Sequence, residues 1–316
     1  MDNFLFYRLH HAGLTNRLFS LEIALGLSEM TKKKLVIYNL LDKQQNWLDS
    51  FPISDNVVFG KRDSIVKREM VNFFELIDFN KSLIWEYVAF GKISQFAEDE
   101  IKISDNLFSD YVNVNKEKTL SPDYNVKKEL IFENEKSYNM TGPNLANREV
   151  FFANQSAEFL DKIKVTFKDE YVSLAKKIAE SLGDFRGMHV RLTDHAERTF
   201  SFSKEDFDKS FSDSDLKTII LTDDVNNTIF KDKDITFLDD YIVDNFSEEF
   251  LSLPSQSEIV FGLIGLLVMC QSKEFVGTPR STFTAYIQRE MLSSKRSDVF
   301  SFIGYDDFVE FPKDWV

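Results

Sequence analysis

The chain has 316 residues, of which 43% are hydrophobic and 28% are charged, a composition typical of a globular protein with material for two domains. Its formal net charge of -14 argues against a nucleic-acid surface and against binding to anionic membranes, because both require clustered cations. The single cysteine, Cys270, excludes a disulfide framework and a cysteine metal site. The four histidines lack the spacing of a zinc site, so we expect no bound metal.

The longest apolar run, residues 259–270, is about half the length that a membrane span needs. It is predicted to form a buried helix, preceded by Ser255 and Glu258 at the spacing of a capping box. The amino terminus does not read as a secretory signal peptide. We therefore expect a cytoplasmic protein that has no membrane span and binds no nucleic acid.

The first part of the chain predicts a strand over 4–9, a helix over 16–30 and a strand over 34–38, which is a βαβ unit with a parallel pair. In the turn before the helix, Gly13 allows close backbone approach. Asn16 is either a ligand for a sugar or its phosphate or an ordinary N-cap. No long clean period is visible from 40 to 154, and 139–144 is predicted to be a turn cluster followed by a domain hinge.

The second half alternates regularly between helical and strand patterns, which predicts a doubly wound parallel sheet. The predicted elements are helix 170–182, strand 187–192, helix 204–211, strand 218–222, helix 225–230, strand 235–238, helix 257–272, strand 274–276 and helix 282–293.

Three of these strands end in polar turns, and the carboxyl ends of parallel strands share the edge where open sheets bind ligands. The turns are His189-Val190-Arg191-Leu192-Thr193-Asp194, Thr222-Asp223-Asp224 and Gly277-Thr278-Pro279-Arg280-Ser281-Thr282-Phe283-Thr284. A guanidinium and the free N–H groups of a helix start both suit a phosphate. Taken singly, the first two turns also fit an ordinary structural role, a surface ion pair in the first and a helix cap in the second.

In order and spacing, these motifs resemble those of the fucosyltransferase superfamily that includes the protein O-fucosyltransferases and the α1,6-fucosyltransferases. Residues 13–17 resemble that family's amino-terminal Gly-rich turn. The resemblance implies an α/β fold of the GT-B type, with two Rossmann-like doubly wound domains facing a cleft. Residues 1–160 would form the acceptor side and residues 161–316 the nucleotide-sugar side. It also implies an inverting, metal-independent glycosyltransferase of glycan biosynthesis, without a cofactor, that moves fucose from GDP-fucose to a glycan or peptide hydroxyl.

Carried onto this sequence, the resemblance implies that Arg191 holds the β-phosphate and stabilises the departing GDP. The other donor-binding residues that it implies or suggests are Gly13, Asn16, His189, Arg280, Ser281, Thr282 and Phe283. For the general base it indicates Glu197 in the loop after Arg191. His11, beside the amino-terminal turn, is the rival, and Asp194 is a third candidate that suits orienting Arg191 better.

The sequence departs from the family at Gly265, where some relatives hold a guanine-binding Asp. Guanine selectivity would then come from Asp223, Asp224 or backbone groups. The alternative functions are a catalytically silent nucleotide-sugar-binding module and a transferase that uses another GDP-sugar.

Overall fold

The computed structural model describes residues 4–8, 13–39, 60–67, 69, 71, 73–78, 88–92, 138–141, 151–152, 155–192, 202–231, 233–293 and 300–304. The chain forms two compact units. Unit 1 comprises Met1–Phe51, Asn72–Thr166 and Asp314–Val316, and unit 2 comprises Pro52–Val71 and Phe167–Lys313. The roles predicted for residues 1–160 and 161–316 stay predictions.

Unit 1 contains a parallel sheet of four strands in the order β3-β2-β1-β4. The strands are β1 Phe4–Arg8, β2 Lys34–Asn39, β3 Val88–Lys92 and β4 Tyr138–Thr141, and helices α1 Leu14–Thr31 and α2 Ala157–Ile163 accompany them. The predicted βαβ unit is confirmed. The predicted turn cluster is wrong over 139–141, because parallel pairing with β1 extends the chain there.

Unit 2 contains a parallel sheet of five strands in the order β7-β6-β5-β8-β9. Its strands are β5 Phe185–Val190, β6 Lys217–Thr222, β7 Thr236–Phe237, β8 Glu274–Gly277 and β9 Phe300–Phe302. Its helices are α3 Asp169–Leu182, α4 Lys204–Ser212, α5 Leu238–Leu251, α6 Glu258–Met269 and α7 Thr282–Ser293. The α/β prediction with parallel sheets is confirmed. Counted within each unit, both sheets have the 3-2-1-4 strand order of Rossmann folds.

Four details of unit 2 differ from the sequence prediction. The predicted helix 225–230 is only a 3-10 turn, Thr228–Phe230, whereas α5 and β9 were not predicted. The predicted capping box is also wrong. Helix α6 is capped by Ser257, whose Oγ accepts a hydrogen bond from the Val260 N–H at 3.3 Å, while the Ser255 hydroxyl donates to Glu69 Oε1 at 2.7 Å.

Residues 60–71, the crossover segment, come from the first third of the chain but belong to unit 2. Lys67 donates its backbone N–H to Gln256 O at 2.8 Å and its Nζ to Gln256 Oε1 at 2.6 Å. Lys61 pairs with Asp244 at 2.6 Å on the surface. These contacts attach the crossover segment to α5 and to the turn before α6.

The innermost contact of the crossover segment is a buried ion pair. Arg62 Nη1 lies 3.2 Å from Asp239 Oδ2, and Arg62 Nη2 lies 3.2 Å from Glu258 Oε1. The guanidinium carbon is 5.2 Å from the centroid of the Phe261 ring. The side chain of Asp239 is only 3% exposed, so Arg62 is its essential counter-ion.

Because the Asp239 carboxylate is buried, we predict an unusual pH dependence of the free energy of unfolding. Burial raises the pKa of Asp239 from 3.8 to about 6, and Arg62 opposes part of that rise. Between pH 3.8 and about 6, Asp239 is protonated in the folded protein but ionised in the unfolded chain, because its folded-state pKa is above its unfolded value. The free energy of unfolding therefore rises as the pH falls from above 6 toward 3.8. Between pH 7 and pH 5 we expect wild type to gain on the order of 1 kcal/mol relative to Asp239→Asn.

Urea unfolding of both proteins at the two pH values measures this difference. The comparison with the Asn variant removes the contribution of the other carboxylates, which titrate in both proteins. An identical change in the free energy of unfolding with pH would contradict the prediction.

Candidate functional site

The three polar turns meet at the carboxyl edge of the sheet in unit 2, as the alternation of elements predicts. Arg191 directly follows β5, Asp223 follows β6 and Thr278 follows β8. Strand β5 pairs with β6 on one side and with β8 on the other, so β5 and β8 flank the point where the strand order reverses. Open parallel sheets bind ligands outside the strand ends at this switch point.

Arg191 is held by a carboxylate from the neighbouring strand. Its Nε lies 3.2 Å from Asp223 Oδ2, and the other oxygen of that carboxylate, Oδ1, accepts a hydrogen bond from Leu192 N at 2.8 Å. The Arg191 side chain is 37% exposed, whereas that of Asp223 is 10% exposed. The guanidinium is therefore fixed from the protein side while it still reaches the surface of the sheet edge.

Thr278 fastens the ends of β5 and β8 to each other. The backbone ladder between these strands stops at the pair Met188 and Val276. Beyond it, the Thr278 hydroxyl donates to His189 O at 2.8 Å and accepts from Arg191 N at 3.0 Å. Thr278 was not among the predicted site residues, although it stands in the quoted motif and is 1% exposed.

His189 is buried between two residues of the first turn of α7. Its Nδ1 lies 2.8 Å from Thr284 Oγ1, and its ring stacks on Phe283 with 4.8 Å between centroids. A Cβ at Gly277 would lie 2.1 Å from Thr284 Cγ2, so only glycine allows α7 to approach β8 this closely. The predicted residues His189 and Phe283 are thus brought together in one aromatic wall.

A tight turn connects β8 to the start of α7. Ser281 N donates to Thr278 O at 3.4 Å, and Arg280 has φ 58°. Pro279 before a residue with positive φ is the signature of a type II turn, a place usually taken by glycine. Ser281 is buried, and its carbonyl accepts a hydrogen bond from Ala285 N at 2.9 Å. Because α7 begins at Thr282, directly after this turn, the N-terminal end of the helix lies at the carboxyl edge of the sheet, and such ends suit anions.

Two other predicted positions have local roles in the structure. Asp224 accepts hydrogen bonds from Asn226 N at 3.2 Å and Asn227 Nδ2 at 3.1 Å, which stabilises the turn after β6. Gly265 faces Leu221 and Leu238, and a Cβ there would meet their methyl carbons at 3.5 and 3.8 Å. A carboxylate at position 265 would therefore enter an apolar layer.

In unit 1, α1 begins at Leu14 with Gly13 as its N-cap. Asn16 lies in the first turn of the helix, so its interpretation as the N-cap is wrong. Its Oδ1 is buried and has no hydrogen-bond partner within the part of the chain that the structure describes. A Cβ at Gly13 would meet no atom within 4 Å, so packing among the described residues does not require glycine there.

Three predicted catalytic residues, His11, Asp194 and Glu197, lie outside the described residues. Within the described ranges, no group of three or more His, Cys, Asp or Glu side chains could hold a metal ion. In those same ranges, no helix has the length and apolar character to cross a membrane.

No family model matches the sequence, and no curated protein matches it. Solved structures do match the fold. POFUT1 in complex with GDP-fucose is 12% identical, with a TM-score of 0.49 over 96% of this chain and 99% of that one. NodZ α1,6-fucosyltransferase soaked with GDP-fucose is 14% identical, with a TM-score of 0.48 over 92% of each chain. Selenomethionine NodZ from Bradyrhizobium is 13% identical, with a TM-score of 0.44 over 91% of this chain and 92% of that one. At these identities, the donor and acceptor of this chain have to be inferred from its own residues.

Proposed function

We propose that the chain is an inverting, metal-independent glycosyltransferase of the GT-B type that moves fucose from GDP-fucose to a glycan or peptide hydroxyl. The observation that supports this is the guanidinium of Arg191, held by Asp223 at the switch point of a parallel sheet and close in the fold to the start of α7. The choice of fucose follows the resemblance of the three motifs. The lone Cys270 fits a reducing compartment, which supports a cytoplasmic location.

In the proposed reaction, the charge that most needs stabilisation develops on the leaving group, GDP. The bond between sugar C1 and the β-phosphate oxygen breaks, while the acceptor oxygen bonds to C1 from the opposite face and inverts its configuration. GDP leaves with an additional negative charge on the β-phosphate. Arg191 stabilises that charge through charge-assisted hydrogen bonds, which is the contribution that a metal ion makes in other transferases.

The other residues of the site bind the donor. The N–H groups and hydroxyls of Ser281 and Thr282 take the phosphates at the start of α7. The wall formed by His189 and Phe283 packs beside the nucleoside. Arg280 adds a second cation to the turn, and the donor-binding roles of Gly13 and Asn16 stay predictions.

The acceptor hydroxyl loses its proton to a general base as it attacks C1. We assign this role to Glu197, with His11 as the rival, and we leave to Asp194 a part in orienting Arg191.

A binding and transfer assay tests this function. Calorimetry compares GDP with UDP and ADP, and the protein is then incubated with GDP-fucose and an array of glycans and peptides. We expect selective GDP binding, release of GDP, and an acceptor that gains one deoxyhexose with inverted anomeric configuration. If the protein bound GDP but transferred no sugar, it would be the catalytically silent binding module. If it transferred sugar only from another GDP-sugar, that sugar would replace fucose as the proposed donor. If it did not bind GDP, the proposal would be refuted.

A further inference from the structure

Arg191 is supported at two points, by Asp223, whose side chain is 10% exposed, and by Thr278, which is buried. Asp223 contacts its side chain at Nε, and Thr278 contacts its backbone N–H. The same Thr278 hydroxyl also fixes the carbonyl of His189. Both supports come from neighbouring strands rather than from the loop that contains Arg191.

These supports address the main weakness of an arginine as a phosphate ligand. Its long side chain has many rotamers, and that freedom is lost when the guanidinium is fixed on a phosphate. A partner at Nε fixes the plane of the guanidinium beforehand. The hydrogen bond from Arg191 N to Thr278 fixes the point from which the side chain leaves the backbone.

The contacts of Asp223 also bear on whether this residue orients Arg191 or recognises the guanine base. Both of its oxygens contact the chain itself, because Oδ1 accepts a hydrogen bond from Leu192 N and Oδ2 forms an ion pair with Arg191 Nε. Each oxygen keeps a second acceptor site, but the Asp223 side chain is only 10% exposed, so little of the carboxylate is accessible to a guanine base. A carboxylate also repels a nearby diphosphate, so a direct role in holding the donor would act against its charge.

We propose that Asp223 and Thr278 are positioning residues for Arg191, Asp223 for the guanidinium and Thr278 for the backbone of Arg191 and His189. This inference rests on the proposed function, because it assumes that Arg191 contacts the donor phosphates. It assigns Asp223 to the orientation of Arg191 and not to the recognition of guanine.

The first test measures GDP release from GDP-fucose with water as the acceptor. We expect Asp223→Asn to lower kcat about tenfold to a hundredfold, as expected for a misplaced catalytic group. The ratio of GDP affinity to UDP affinity should stay unchanged, since Asp223 does not read the base. Asp244→Asn, which removes an exposed carboxylate that pairs with Lys61, is the control and should leave kcat unchanged.

The second test repeats Asp223→Asn in an Arg191→Ala background and measures GDP affinity by calorimetry. A positioning residue has nothing left to position, so the added substitution should cause no further loss. A further loss of GDP affinity, or a lower GDP to UDP ratio in either background, would show that Asp223 binds guanine and would overturn the proposal.

Thr278 is tested by the pair Thr278→Val and Thr278→Ser. The valine variant should lose kcat about tenfold, whereas the serine variant, which keeps the hydroxyl, should recover most of it. A serine variant as slow as the valine variant, at equal melting temperature, would overturn the assignment of Thr278. Failure of the proposed function is distinct from these results, because wild type itself would then release no GDP from GDP-fucose.

Discussion

Arg191→Ala is expected to lower the rate of GDP release from GDP-fucose by at least about a hundredfold, which is the usual effect of removing one preorganised partner of transition-state charge. The fold should persist. The Arg191 side chain is partly exposed, and Asp223 keeps its hydrogen bond from Leu192 N after the change. Steady-state kinetics measure the loss, and circular dichroism with thermal unfolding shows whether the fold is retained.

Two further variants test whether the loss of rate is specific to the guanidinium of Arg191. Arg191→Lys keeps the positive charge but loses Nε and the planar fork, so we expect it to recover only part of the rate. Lys273→Ala removes an exposed cation just before β8, at the opposite edge of the same sheet, and should leave the rate unchanged. A folded Arg191→Ala protein with wild-type turnover would refute the role of Arg191 and, with it, the proposed mechanism.

Arg62→Ala is expected to destabilise unit 2 by about 3–5 kcal/mol, because it leaves the buried charge of Asp239 without its counter-ion. That loss is a large part of the roughly 5–15 kcal/mol by which a typical domain is stable. It also removes the cation above the Phe261 ring and the contact with Glu258. Urea unfolding of the wild type and the variant measures the effect.

The matched control lies beside Arg62 in the crossover segment. Lys61→Ala breaks the pair with Asp244, whose two side chains are 54% and 51% exposed, so it should cost no more than about 1 kcal/mol. The double variant Arg62→Ala/Asp239→Asn removes the buried charge and should recover part of the lost stability. If the single and double variants unfolded at the same urea concentration, the buried charge would not be the cause.

Much of unit 2 could be predicted because most of its helices and strands have clear local sequence patterns. Helix α7 has the predicted bounds 282–293, since a polar turn precedes a continuous helical pattern. Helix α5 was missed, although Leu238, Ile242, Phe246 and Phe250 recur every fourth residue and are all buried. Its acidic first turn and the short strand just before it obscured that spacing.

The partner that the structure gives Arg191 does not come from nearby in the sequence. Asp223, which follows the neighbouring strand, contacts the guanidinium, whereas Asp194, three positions from Arg191, lies outside the described residues and its predicted part in orienting the guanidinium stays a prediction. Val190 pairs with Thr222 in the register of β5 and β6, so the next residues of the two strands, Arg191 and Asp223, emerge side by side. This pair could have been predicted from the sequence if β5 and β6 had been assumed to be neighbouring strands. No local pattern could have joined Arg62 to Asp239, because the two residues are 177 positions apart.

The same separation has a consequence for how the chain folds as it is synthesised. At roughly 5–20 residues per second, Asp239 follows Arg62 out of the ribosome after roughly 9–35 s. During that interval the crossover segment has no α5 or α6 to bind, and the intervening residues can fold before it docks. Unit 2 can complete its structure only when a segment made early meets helices made late. Docking of the crossover segment through Arg62 is therefore expected to be a late step when unit 2 folds during synthesis.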